Sequence, residues 1–292
     1  MTDLFNQQEE PVDTGTTKVE QAPLQWYGGK WEMAEWLASL LPRAQTFVMP
    51  FGGAGSPLWH VEPYPVEVYN DLDSELVNFF RVCREQGDEL ARRLELTPFS
   101  REEFDLCKKL DGADPVERAR QFAYVGRASH GGAWGRSWSH VVGHSRRGMS
   151  SSVSRFLHMP ETVTQVARRL KSVQVEHMDA IALIRKYDRP ETLFYLDPPY
   201  VPESRNGSDV YRCEMTIEDH RALLATLKGI QGKWALSGYA NDLYDSELAG
   251  THRVEREVTC RSNITNRGAA SKPKRTEVVW MNYAPSLAKS AA

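Results

Sequence analysis

The stretch Leu193-Phe194-Tyr195-Leu196-Asp197-Pro198-Pro199-Tyr200 changes character in one step, from four apolar residues to an acid, two prolines and an aromatic. A short apolar run of this kind reads as a buried strand. Proline has no N–H for a sheet ladder and fixes its own φ, so the strand ends at Leu196 and the next residues form a rigid turn. In open α/β sheets, ligands bind outside the carboxyl ends of the strands, where Asp197 and Tyr200 fall. A carboxylate and backbone carbonyls held there suit an exocyclic N–H on a flat base, and the aromatic ring suits stacking. An ordinary proline turn is the plain alternative.

Outward from this turn, short β-rich runs alternate with helical patterns, the signature of a mostly parallel sheet with helices on both faces. Strands are expected at 47–49, 66–69, 173–175, 193–196, 234–237, 253–258 and 278–282, the last two as an antiparallel pair. Helices are expected at 33–41, 74–85, 101–110, 115–127, 161–171, 180–186 and 217–230, the last with Thr216 as its N-cap. The interval from about residue 70 to 173 is too long for one crossover, so a mainly helical insert is placed at 96–159. Residues 1–22 and 285–292 are polar and aperiodic and read as disordered tails. That leaves a discontinuous main domain, 23–95 with 160–284.

At 292 residues with 41% apolar content, the chain is long enough for one large α/β domain carrying an insert. It has no apolar run of membrane-spanning length and no signal-peptide core, so a cytoplasmic setting without membrane contact is expected. Cys83, Cys107, Cys213 and Cys260 are widely spaced, which argues against a zinc site or a disulfide framework. The net charge of −3 conceals an uneven distribution: 118–160 contains no Asp or Glu but holds Arg118, Arg120, Arg127, Arg136, Arg146, Arg147 and Arg155. Such a local cationic patch suits nucleic acid.

Three further motifs precede the central turn. They are Trp26-Tyr27-Gly28-Gly29-Lys30, Phe51-Gly52-Gly53-Ala54-Gly55 after the first strand, and Asn70-Asp71 after the second. The glycine loop lacks the GxGxxG spacing of dinucleotide folds. In this order, with Asp197-Pro198-Pro199-Tyr200, the motifs resemble the Dam-type DNA adenine-N6 methyltransferases over roughly residues 24–283. The tail from Cys260-Arg261-Ser262-Asn263 to Thr276-Glu277-Val278-Val279 is similar to that family's final hairpin.

The resemblance implies a Rossmann-like methyltransferase sheet with an antiparallel edge hairpin and an inserted recognition subdomain. It also implies S-adenosyl-L-methionine as methyl donor, with no metal. Trp26, Lys30, Phe51, Gly53, Gly55, Asp71, Asp179 and Asp197 are then expected at the cofactor, and Asp197, Pro198, Pro199 and Tyr200 at the reacting base. Plainer roles remain open beside these: a tight turn for the glycines, core packing for Trp26, a solvated charge for Lys30 and a helix cap for Asp179. Asp73 competes with Asp71 for ribose hydroxyls, and the family pattern favours Asp71.

Arginines bind phosphates and read guanine edges, while aromatics stack on or wedge between bases. Arg127, Trp134, Arg136, Arg146 and Arg147 are therefore expected on DNA, followed by Arg261, Asn263 and Arg267, with an exposed basic loop as the plain alternative. Where the family carries a Phe-Asn-Val-Pro-Phe-Gly-like stretch, this chain has Trp138-Ser139-His140-Val141-Val142-Gly143-His144. The family's usual GATC target does not carry over with that segment missing. Together these features point to methylation of adenine N6 in double-stranded DNA, without an obligate protein partner. Cytosine-N4 or RNA adenine methylation uses the same geometry, and a non-catalytic DNA-binding protein on this fold is the alternative of another class.

Overall fold

The computed structural model describes residues 18–130, 133–140, 143, 145, 146, 148–201, 213–259 and 274–285. Its strands are β1 (Thr46–Met49), β2 (Val66–Asn70), β3 (Ser145–Arg146), β4 (Met149–Ser150), β5 (Val173–Glu176), β6 (Thr192–Leu196), β7 (Lys233–Tyr239), β8 (His252–Thr259) and β9 (Lys274–Met281). Its α-helices are α1 (Ala34–Leu40), α2 (Ser74–Glu95), α3 (Arg101–Cys107), α4 (Pro115–Ala128), α5 (Ser151–Leu157), α6 (Met159–Leu170), α7 (Ala180–Tyr187), α8 (Ile217–Gly229) and α9 (Asp242–Glu247). Seven strands form one sheet in the order β5-β2-β1-β6-β7-β9-β8. The first five in that order are parallel, and β9 runs antiparallel to both β7 and β8. The α/β, mostly parallel expectation holds.

All five residues of β6 are buried because helices cover both faces of the sheet. Leu193 and Tyr195 pack with α1, α2, α4 and α6 on one side, while Phe194 and Leu196 pack with α7, α8 and α9 on the other. From β1 the chain steps outward to β2 and β5, then returns to place β6 on the other side of β1. This reversal opens a crevice at the carboxyl ends of β1 and β6, between the glycine loop and the proline turn.

Helix α2 runs ten residues beyond its expected end at 85; Gln86 leaves helical geometry at φ −140°, beside Gly87, and the helix then resumes. The insert does not form a core of its own. Phe122 and Tyr124 of α4 share one apolar cluster with Phe79 of α2 and Phe47 of β1. One buried ion pair ties the insert's return to the sheet: Arg169 of α6 donates twice to Glu67 of β2, at 2.6 Å each, and once to the Leu58 carbonyl.

Part of the stretch expected to be tail, residues 1–22, is packed against the rest of the chain. Val19 is 1% exposed, and the Glu20 N–H donates to Gln165 on α6. The β3–β4 hairpin, α5 and α9 were not expected, being short elements set by packing rather than by a strong local period. Among the described residues, no helix is long and apolar enough to cross a membrane.

Candidate active site

Two adjoining cavities lie at the crevice. The larger, of about 240 Å³, is lined by Trp26, Phe51, Gly53, Leu72, Met178, Ile181 and Pro199, together with Asp71, Asp73, Asp179, Asp197, Glu214 and Asp219. The smaller, of about 40 Å³, is bounded by Trp26, Lys30, Phe51, Gly53, Gly55, Tyr195 and Asp197. Trp26, Phe51, Gly53 and Asp197 form walls of both.

The glycines have different reasons for being there. A side chain on Gly52 would meet the Tyr69 ring at 2.2 Å, and one on Gly55 would meet Trp59 at 2.7 Å. Those two positions are explained by the protein's own packing. A side chain on Gly53, at φ +50°, would first meet the Trp26 indole at 3.5 Å, and the residue lies between the two cavities. The loop is fixed from below, because Asp71 accepts the Gly53 N–H at 2.8 Å and the Asp73 N–H at 2.9 Å. Burial raises the Asp71 carboxyl above its usual range, and these N–H bonds oppose that rise. Asn70, which had no assigned role in the sequence, bonds the carbonyls of Pro50 and Met178 and accepts the Met178 N–H. It thereby clips together the loops that follow β1 and β5.

Asp73 is the N-cap of α2, accepting from the Glu75 and Leu76 N–H groups. Asp179 likewise caps α7, through the Ala182 N–H, while standing exposed on the larger cavity's wall. The two competing acids therefore differ in kind. Asp73→Ala should cost about 1 kcal/mol of stability as a lost cap. Asp71→Ala should weaken cofactor binding far more than Asp73→Ala does. Calorimetric titration and denaturant melts on both variants check this; equal loss of affinity would remove Asp71 from the cofactor.

At the proline turn, Asp197 is half-buried and held from two sides. Lys30 Nζ lies 2.8 Å from its Oδ1 and 2.9 Å from its Oδ2, and Ser237 on β7 donates to Oδ1 at 3.0 Å. Lys30 is 5% exposed, also donates to the Gly28 carbonyl at 2.7 Å, and lies 4.6 Å above the Tyr200 ring. It is not a solvated charge. Tyr200 is 6% exposed; its hydroxyl donates to Glu277 on β9, and Tyr239 meets its ring edge-on at 4.5 Å. Ser237 carries no motif, and Glu277 falls in the stretch similar to the family's final hairpin without a role of its own there. Strand order alone brings them to the turn.

The DNA expectations divide. Arg127 requires correction: it is 6% exposed, and its Nη2 donates to the Ala22 and Pro23 carbonyls at 2.8 and 3.5 Å. Burial, then Arg155, lowers its pKa to about 10. The sequence signal for this is the run Phe122-Ala123-Tyr124-Val125-Gly126, apolar all round the helix, and Phe122 to Ala128 are all buried. Arg127→Ala should therefore cost about 1.5–3 kcal/mol of stability without relaxing sequence preference, as melting and competition binding with scrambled duplexes would show. Trp134 is also turned inward, stacked on Phe122 at 5.8 Å with its indole N–H on the Phe122 carbonyl. Arg136 is exposed. Arg101, which sequence reading left without a role, is exposed and lies 4.7 Å above Trp138, itself stacked on exposed His140. Arg146 lies in β3, and its side chain falls outside the described residues, as do Arg147, Arg261, Asn263 and Arg267.

Among the described residues, the lining of the larger cavity has six carboxylates and no lysine or arginine, with apolar Phe51, Leu72, Met178 and Ile181 alongside. A ligand combining positive charge, hydroxyls and a flat apolar ring fits that wall.

Comparison with known proteins agrees with this geometry. The chain is 29% identical to a DNA adenine methylase of Serratia marcescens over 226 residues, 70% of this chain and 77% of that protein. It is 24% identical to a DNA adenine methylase of Vibrio cholerae over 290 residues, covering 94% and 100%. It is also 24% identical to the type II methyltransferase M1.LlaDCHI of Lactococcus lactis subsp. cremoris over 290 residues, covering 91% and 97%. The family model for D12 class N6 adenine-specific DNA methyltransferase matches residues 26–260, most of the length. With the reversed sheet, the acid-lined cavity and the Asp-Pro-Pro-Tyr turn on its wall, this chain belongs to the D12 class of N6 adenine-specific DNA methyltransferases.

Proposed function

We propose that the chain binds S-adenosyl-L-methionine in the larger cavity and methylates adenine N6 of a base flipped out of double-stranded DNA into the Asp197-Pro198-Pro199-Tyr200 turn. Asp197 carries this reading, because its half-buried carboxylate stands on the wall of both cavities and beside the buried Tyr200. When bound, the cofactor supplies an activated methyl group on a sulfonium. Asp71, on the wall of that cavity, is assigned to the ribose hydroxyls. Gly53 lets the backbone approach the amino-acid end, while Trp26, Phe51 and Asp179 line the same cavity.

The chain's own residues supply positioning. The adenine amine is a poor nucleophile because its lone pair is delocalised into the ring. Hydrogen bonds from N6 to Asp197 and to the Pro198 carbonyl favour pyramidalisation toward the methyl, and holding the reactants in line does most of the remaining work. Flipping costs a few kcal/mol, which stacking on Tyr200, at ~1–3 kcal/mol per base, largely offsets.

Exposed Arg136 and Arg101 belong to the face we assign to DNA, within the insert at 96–159. Arg146 and Arg147 are assigned to phosphates, and Arg261, Asn263 and Arg267 form a second set of contacts. A cytoplasmic protein acting without an obligate partner completes the proposal. Incubation with methyl-tritiated S-adenosyl-L-methionine and, in parallel, mixed-sequence duplex DNA or RNA, followed by nucleoside analysis, tests it. N6-methyladenine is expected, and label in N4-methylcytosine, in RNA alone or in neither nucleic acid would refute it.

A further inference from the structure

The Asp197 oxygens that must accept the adenine amine already hold a donor, the Lys30 ammonium, at 2.8 and 2.9 Å. The same ammonium stands 4.6 Å above the Tyr200 ring, on which the base would stack. Lys30 therefore occupies the seat of the amine, as a donor to the carboxylate and as a cation over the ring. Ser237 also holds Oδ1, so an entering amine competes with Lys30 for Oδ2. Lys30 is 5% exposed, and a buried ammonium cannot give up a counter-ion without another to take it.

We propose that Glu277 is a positioning residue for methyl transfer, its carboxylate being the second seat onto which Lys30 moves when the adenine amine takes Asp197. This rests on the role of Asp197 proposed above. Glu277 is 3% exposed, and its Oε1 lies 3.7 Å from Lys30 Nζ, so a shift of about 1 Å converts that approach into a hydrogen bond. Glu277 also accepts the Tyr200 hydroxyl, so the carboxylate that receives the lysine anchors the stacking ring as well. Ser237 keeps its bond to Asp197 Oδ1 throughout, which leaves Oδ2 for the incoming amine. Burial raises the Glu277 carboxyl above its usual range, and the Lys30 ammonium is the largest influence in the other direction.

The position follows from topology. The parallel strands present their carboxyl ends to the crevice, but β9 runs the other way and offers its beginning there. Glu277 pairs in register with Tyr239, the last residue of β7, and the following residues Val278 to Met281 are buried core.

Glu277→Gln separates the two contacts, because an amide oxygen still accepts the Tyr200 hydroxyl while the charge facing Lys30 is lost. Steady-state methylation of duplex DNA should show kcat reduced about tenfold. The cofactor Kd and the KM for DNA should stay within about twofold of the parent, with the melting temperature unchanged. Tyr200→Phe, which keeps the carboxylate beside Lys30, should lose less. A Glu277→Gln enzyme with parental kcat, or one whose loss lies in KM or in melting, overturns the proposal. Asp197→Ala measured in parallel tells the two readings apart. If that variant is inactive while Glu277→Gln is normal, the Glu277 role alone falls; if it turns over normally, both fall.

Discussion

Replacing Asp197 with alanine should lower kcat for methyl transfer by about 10²–10³-fold or more, because it deletes the acceptor that orients the reacting amine. The fold should survive, since the Lys30 ammonium keeps Glu277 within 3.7 Å as a counter-charge and the Gly28 carbonyl as an acceptor. Cofactor affinity should change much less than turnover, because Asp197 is one residue among many lining the larger cavity. Asp197→Asn, which keeps one acceptor oxygen, should fall between the parent and the alanine variant. Rapid-quench methylation at saturating DNA and cofactor separates turnover from binding, and near-parental turnover in Asp197→Ala would refute the catalytic assignment.

The largest effect on stability is expected at the other end of the sheet. Arg169→Ala removes the partner of Glu67, a carboxylate sealed inside β2, and strands it among apolar neighbours. Breaking a buried pair from one side costs about 3–5 kcal/mol. Replacing both partners by apolar residues of similar volume, Glu67→Leu with Arg169→Met, should recover most of that loss. Urea melts of the single and double variants measure this. A single variant within about 1 kcal/mol of the parent would mean that α6 is held to the sheet by apolar packing alone.

The parts of the site legible in the sequence are those where one segment carries its own explanation. An apolar run ending in Asp197-Pro198-Pro199-Tyr200 must be a buried strand followed by a stiff turn, and β6 has that form. Asn70-Asp71 marks the end of β2 for the same reason. Ser237 and Glu277 were not legible as site residues, because each stands in an ordinary strand and gains meaning from which strand lies beside it. Register and strand order are long-range properties that no local pattern records. Lys30 was expected at the cofactor, but that its ammonium would sit on Asp197 depended on two loops 167 residues apart. The burial of Arg127 was not legible, because an arginine at a helix end is usually solvated, and here the segment before Leu24 closes over it.

The position of β9 also bears on how the enzyme comes into being on the ribosome. Among the described residues, β8 pairs with β9 alone, and β9 lies between β8 and β7 although it is made after both. Until β9 is made, β7 presents a bare edge, β8 has no neighbour to pair with, and the turn that carries Asp197 has no Glu277 beside it. Pairings of long sequence separation form late, and chains are released from the amino end first. A nascent chain can thus assemble most of the larger cavity while the surroundings of the Asp197 turn are still unfinished. Methylation is the last competence the growing polypeptide acquires, so a chain cut short before residue 274 would retain much of the pocket and lack the strand that completes the site.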